Sequence, residues 1–124
     1  MCQDNCLSHQ SVKVFGTGRT SQDYVYVKDA ALGIRLALEH QEVSGPFNIG
    51  SGRSTSILEL AEAFCEGFRN PSGAVLVPGQ ENIHYNVMDI THSQAVLGYS
   101  PKYSLKEACA DMFGIYSAEK EPLC

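Results

Sequence analysis

The chain lacks any run of apolar residues near the roughly 20 that a membrane-crossing helix needs. That excludes a single-helix anchor. It lacks a basic stretch as well: 9 lysines and arginines stand against 14 acidic residues, for a net charge of −5. No segment is built to follow a phosphate backbone, so nucleic acid is not an expected partner. No positively charged segment followed by an apolar one opens the sequence, so no signal peptide is expected. There is no CxxC. The five cysteines, Cys2, Cys6, Cys65, Cys109 and Cys124, are odd in number and far apart. That pattern points to reduced thiols and a cytoplasmic location rather than a disulfide framework. No internal repeat or low-complexity tract is present, which excludes a solenoid.

What is there reads as one α/β domain, since 124 residues suffice for one domain of ordinary size. Residues 1–11 carry no strong pattern and read as a weakly ordered segment or as the tail of a helix. The main lobe spans 12–117, and 118–124 reads as a tail. Val12 to Phe15 is a short strand closed by the Gly16-Thr17-Gly18 turn. Asp23 to Val27, rich in Tyr and Val, reads as a second strand. Asp29 reads as the N-cap of a helix reaching about His40. Phe47 to Ile49 reads as another short strand.

Ser56 and Glu59 spell a capping box, in which each side chain satisfies the other's free backbone N–H. Ile57, Leu60, Ala61, Phe64, Cys65 and Phe68 then recur with helical period. Ala74 to Val77 reads as a strand. Asp89 or Thr91 caps a short helix that ends before Gly98, and Pro101 forbids its continuation. A second capping box, Ser104 and Glu107, opens a last helix lined by Leu105, Ala108, Cys109, Met112, Phe113 and Tyr116. Short strands alternating with helices predict an α/β fold with a small, mostly parallel sheet and flanking helices.

Several residue groups carry possible chemistry. Gly50-Ser51-Gly52-Arg53-Ser54-Thr55 has the outline of a dinucleotide-binding turn. Thr55 stands where such a turn needs its third glycine, and no acidic residue follows at the right distance. A turn feeding a capped helix is the better reading. Tyr24-x-x-x-Lys28 and Tyr116-x-x-x-Lys120 both have the spacing of a tyrosine–lysine acid–base pair, which works when the ammonium sits one helical turn away. On an extended strand, Tyr24 and Lys28 would lie roughly 13 Å apart. Cys2, Cys6 and His9 form a loose cluster without a fourth ligand, so no metal is expected. The histidines His9, His40, His84 and His92 are scattered. Arginine pairs bidentately with phosphate oxygens, which makes Arg19 and Arg53, near the glycine turns, candidate diphosphate ligands.

In sequence order, Val14-Phe15-Gly16-Thr17-Gly18, Gln22-Asp23-Tyr24-Val25-Tyr26-Val27-Lys28-Asp29-Ala30-Ala31, Phe47-Asn48-Ile49-Gly50-Ser51-Gly52, Ser56-Ile57-Leu58-Glu59-Leu60-Ala61, Asp89-Ile90-Thr91 and Leu97-Gly98-Tyr99-Ser100-Pro101 resemble the C-terminal part of the extended short-chain dehydrogenase/reductase family, the nucleotide-sugar epimerases and dehydratases. The resemblance runs from about Lys13 to Met112. It implies an enzyme that binds NAD or NADP in an N-terminal Rossmann half and a nucleotide-diphosphate sugar in a C-terminal lobe, with a transient 4-keto sugar formed by hydride transfer. The cofactor glycines and the catalytic Tyr-x-x-x-Lys lie upstream of the matched region. This chain alone is therefore expected to bind no cofactor and to be inactive.

The resemblance makes Phe15 and the backbone of Lys13 candidates to contact the nucleotide base. Gln22 stands where the family often has a diphosphate-binding arginine, and Arg19 is a candidate substitute. A second family arginine has no counterpart in Val77-Pro78-Gly79-Gln80. The missing half, or self-association, is expected to cover the apolar faces that the resemblance places against the Rossmann half. A non-catalytic binding or self-associating module derived from the same fold is the alternative.

Overall fold

The structure, a computed structural model, describes residues 2–119, with side chains from residue 5 onward. Its elements are α1 (Cys2–Leu7), β1 (Val12–Phe15), β2 (Ser21–Gln22), α2 (Val27–Glu39), β3 (Thr55–Ser56), α3 (Ile57–Gly67), β4 (Ala74–Val77), α4 (Thr91–Leu97) and α5 (Leu105–Glu119). The described residues fall into two compact units. One comprises the segment up to Thr20, Ser56–Ile83 and the chain from Ser104; the other comprises Ser21–Thr55 and His84–Tyr103.

The first unit is built on β1 and β4, which pair in parallel with Val12 opposite Ala74 and Phe15 opposite Val77. Val12 and Val14 point into the core while Lys13 and Phe15 point out, as strand alternation requires. The core joins Cys6, Val12, Val14, Ala61, Cys65 and Phe68. The Phe68 ring meets those of Phe64, Phe113 and Tyr116 at centroid distances of 5.6, 5.7 and 6.1 Å. Each such aromatic pair contributes about 0.5–1.5 kcal/mol beyond its buried area.

Helix α3 begins where the sequence places it. Ser56 Oγ accepts from Glu59 N–H at 3.1 Å, and Glu59 Oε2 accepts from Ser56 N–H at 2.7 Å. The box at Ser104 and Glu107 starts α5 in the same way. That helix runs to Glu119, past the expected start of the tail at Ala118; residues 120–124, and so Lys120 and Cys124, lie outside the described residues.

The N-terminal segment takes the helical alternative. Residues Cys2–Leu7 form a helix, and Cys6 is fully buried with its Sγ 3.9 Å from Cys65 Sγ. Burial of an apolar thiol against α3 anchors a segment whose sequence carries no periodic signal. Of the Cys2, Cys6 and His9 cluster, the Cys2 side chain lies outside the described residues.

In the second unit, Ile90, Leu97 and Tyr99 form a core with Leu36, Val43, Phe47, Ile49 and Val96. Gly98 closes α4 in the left-handed conformation at φ 64°, as its place at the helix end requires. The strand expected over Asp23 to Val27 is absent. The strand stops at Gln22, and Ala30 N–H already donates to Tyr26 C=O at 2.9 Å, which opens α2 two residues before Asp29. Asp29 is thus no N-cap. Its buried carboxylate accepts from the backbone N–H groups of Lys102 (2.9 Å) and Tyr103 (3.0 Å). Residues 47–49 form no strand either. Asn48 C=O accepts from the Ser93 hydroxyl at 2.6 Å, and Ile49 packs on Gly33, where a Cβ would come within 2.7 Å.

Candidate functional site

Three of the four expected substrate contacts, Lys13, Phe15 and Arg19, lie in the first unit. The side chains of Lys13 and Phe15 share the outward face of β1, and Phe15 is 64% exposed. An apolar ring held that far into water is a ready stacking surface for a planar ligand. Its lower side is supported by Gly79, where a Cβ would come within 3.0 Å of Phe15 Cβ and Cδ1. The backbone adds to this surface. A parallel ladder engages every second residue of a strand. Val12 N–H donates to Gly73 C=O and Gly16 N–H to Val77 C=O, both at 3.0 Å. Lys13 and Phe15 therefore turn their backbone groups to the other edge of β1, where no further strand pairs among the described residues.

Arg19 sits on the loop that leaves β1, and its side chain is exposed. Its backbone N–H donates to Glu81 Oε1 at 3.1 Å. Glu81 is a residue that sequence reasoning missed. Its carboxylate also accepts from Thr17 N–H at 2.7 Å and the Thr17 hydroxyl at 2.6 Å. The Thr17 hydroxyl and backbone N–H, followed by the backbone N–H groups of Thr20 and Arg19, hold the Glu81 carboxyl down to about 2. No local pattern marks Glu81, because its partners lie more than 60 residues away.

Gln22 belongs to the second unit. Its Nε2 is 3.0 Å from His84 Nε2, so the position carries a neutral polar contact where a guanidinium was expected from the family. Beside it, the Asp23 carboxylate accepts from Ser51 N–H (2.7 Å), the Ser51 hydroxyl (2.6 Å), Gly52 N–H (2.8 Å) and Met88 N–H (3.2 Å). The Gly50–Thr55 turn thus spends its N–H groups on an internal carboxylate. A pyrophosphate placed there would meet that charge, so these residues do not fit a dinucleotide cofactor.

Tyr99 is buried and donates its hydroxyl to Gly50 C=O at 2.8 Å. Burial, then the charges of Asp29 and Asp23, push its phenol up to about 12. It therefore serves as a fixed donor and not as a proton shuttle. Tyr24 and Lys28 do not share an extended strand. Lys28 lies in the first turn of α2, with its Nζ 5.8 Å from the centre of the Tyr103 ring. Arg35 pairs with Glu39 on the exposed side of α2 at 2.6 Å, and Arg53 is exposed. Among the described residues no group of three metal-ligating side chains is found, and no helix is long and apolar enough to cross a membrane.

Comparison with known proteins agrees with this geometry. Residues 3–50 match the NAD dependent epimerase/dehydratase family. The chain is 35% identical to a putative UDP-glucose 4-epimerase of Methanocaldococcus jannaschii, over 84% of this chain and 33% of that protein. It is 30% identical to UDP-glucuronic acid decarboxylase 2 of Arabidopsis thaliana, over 82% of this chain and 23% of the relative. Among solved structures, a UDP-glucose 4-epimerase of Thermotoga maritima with UDP-glucose superimposes with a TM-score of 0.79 at 29% identity, covering 97% of this chain and 39% of that one. The chain therefore spans between 23% and 39% of the length of these relatives. With its small parallel sheet, flanking helices and ordered motifs, the chain is similar to part of the NAD-dependent nucleotide-sugar epimerases and dehydratases, the extended short-chain dehydrogenases/reductases.

Proposed function

We propose that this chain is the C-terminal, substrate-binding portion of an NAD(P)-dependent nucleotide-sugar epimerase/dehydratase, without the Rossmann half and the catalytic tyrosine–lysine pair. The observation that carries this reading is Phe15, exposed on β1 beside the unpaired backbone edge of Lys13. A pyrimidine base stacks on the Phe15 ring, and its polar edge hydrogen-bonds to the Lys13 backbone. Arg19, on the next loop, is placed to meet a phosphate. Gln22, in the second unit, stands with His84 and is a separate candidate polar contact for the ligand.

The cofactor, NAD or NADP, takes and returns a hydride in the parent enzyme. It is held by the half that this chain lacks. This chain alone binds no cofactor and turns over no substrate. Three buried free thiols, Cys6, Cys65 and Cys109, suit a reducing compartment, which supports a cytoplasmic location. Calorimetric titration with UDP-sugars, dTDP-sugars and NAD tests the reading. Sugar-nucleotide binding that Phe15→Ala weakens by about tenfold, the size of a lost stacking contact, is the expected result. Binding of NAD alone would overturn it.

A second reading, a non-catalytic or self-associating module of the same descent, rests on α2. Its Val27, Ile34 and Leu38 are all exposed and recur at i, i+7 and i+11 on one stripe. In that reading the stripe is covered by a second copy or by the missing half. Sedimentation velocity of the wild type and of Ile34→Glu separates the two covers. A dimer that Ile34→Glu dissolves favours self-association, and a monomer in both favours the missing half.

A further inference from the structure

The loop after β1 already holds an anion, one supplied by the chain itself. Gly16 and Gly18 adopt positive φ, 77° and 69°, between residues whose N–H groups converge on one point. Successive N–H groups in such alternating conformations form a concave anion-binding nest. Here Thr17 N–H and hydroxyl donate to Glu81 Oε2 at 2.7 and 2.6 Å. Arg19 N–H (3.1 Å), Thr20 N–H (3.4 Å) and the Thr20 hydroxyl (3.5 Å) donate to Glu81 Oε1. The fit is close: a Cβ on Gly16 would lie 2.7 Å from Glu81 Oε2.

The shape of the loop does not depend on Glu81. Gly16 N–H donates to Val77 C=O at 3.0 Å. Gly18 C=O accepts from Leu58 N–H at 3.2 Å, and Thr20 C=O from Ile57 N–H at 2.9 Å. The Thr20 hydroxyl is also within 3.2 Å of Asn82 C=O. These bonds tie the loop to β4 and to the first turn of α3. Its donors stay convergent when the carboxylate is taken away.

We propose that the Gly16–Thr20 loop is an oxyanion-binding site and that Glu81 decides whether it is open. With Glu81 in place, a tethered carboxylate at high effective concentration excludes external anions. With Glu81 neutralised or removed, the N–H groups of Thr17, Arg19 and Thr20 and the Thr17 hydroxyl receive a phosphate group, free or carried by a nucleotide, and the exposed Arg19 side chain adds a positive charge on the same loop. This holds whether or not Phe15 receives a base, so its failure and the failure of the sugar-nucleotide reading are separate results.

Amide NMR spectra of the full chain test the proposal, for the wild type, Glu81→Ala and Glu81→Gln, each titrated with inorganic phosphate and with uridine. Saturable phosphate shifts at the Thr17, Arg19 and Thr20 amides are expected in Glu81→Ala, with affinity at least about tenfold above the wild type. Uridine, which carries no phosphate, leaves those amides in place. Glu81→Gln keeps the side-chain volume with only one acceptor oxygen and falls between the two. It decides the matter if Glu81→Ala gives a poorly dispersed spectrum. A well-dispersed variant whose three amides ignore phosphate would overturn the proposal, as would a wild type that binds phosphate equally well.

Discussion

Replacing Asp29 with alanine removes the side-chain acceptor of two backbone donors in the second unit. Asp29 is 2% exposed, and its two oxygens take the N–H groups of Lys102 and Tyr103 at 2.9 and 3.0 Å. A buried N–H left without a partner costs about 1–3 kcal/mol, so two part-buried donors set an upper range of roughly 2–6 kcal/mol for the loss. Against a typical total of about 5–15 kcal/mol, that is enough to unfold a marginal domain. Asp29→Asn keeps the shape and one acceptor oxygen, but it turns an amide N–H₂ toward the second donor. Its loss is expected at about half that of alanine.

Urea unfolding followed by circular dichroism measures both variants. A second readout is independent of stability. The charge of Asp29 is one of the causes that raise the Tyr99 phenol, so Asp29→Asn should lower the pH at which the Tyr99 ring-carbon NMR signal titrates. If Asp29→Ala unfolds within about 0.5 kcal/mol of the wild type, the ordinary range for a surface change, the carboxylate is not holding two buried donors and the reasoning fails.

Three further outcomes follow from the first unit. Ser56→Ala breaks the capping box of α3 and should cost about 1 kcal/mol in chemical denaturation, with Glu59→Ala similar in direction. Gly67→Ala, in the last turn of α3, would ordinarily gain about 1 kcal/mol of helix propensity. Here the new Cβ would stand 2.6 Å from Cys109 Cβ, and overpacking of about 1–3 kcal/mol should make the variant less stable than the wild type in thermal unfolding. The Glu81 carboxyl is held down to about 2 from an ordinary 4.5, so its contribution is complete above 4.5 and is lost as the pH falls toward 2. Melting temperatures of the wild type and Glu81→Gln should therefore differ at neutral pH and converge over that window.

Where local chemistry decides the structure, the sequence was readable. The boxes at Ser56 and Glu59 and at Ser104 and Glu107 start α3 and α5 where their spacing says, and the apolar stripe ending at Phe68 faces the core. Gly98 ends α4 for the same local reason. Legibility fails where a carboxylate reaches across the chain. Tyr and Val at positions 24–27 have strand propensity, yet Asp23 is committed to Ser51, Gly52 and Met88, and the chain enters α2 directly afterward. Asp29 has the look of a cap and instead serves Lys102 and Tyr103.

The candidate site divides along the same line. Lys13 and Phe15 were legible through the family resemblance, and the alternation of β1 turns both outward. The support of Phe15 by Gly79 and the closure of the following loop by Glu81 depend on partners more than 60 residues away. Such pairings leave no periodic trace.

The most direct measurement of the account is the amide NMR spectrum of this chain titrated in parallel with UDP, UDP-glucose and NAD. Saturable shifts at Lys13 and Phe15 with both uridine nucleotides, reduced by Phe15→Ala and absent with NAD, are the predicted result. Shifts with NAD centred on the Gly50–Thr55 turn, or no response at Lys13 and Phe15 to either uridine nucleotide, would contradict it.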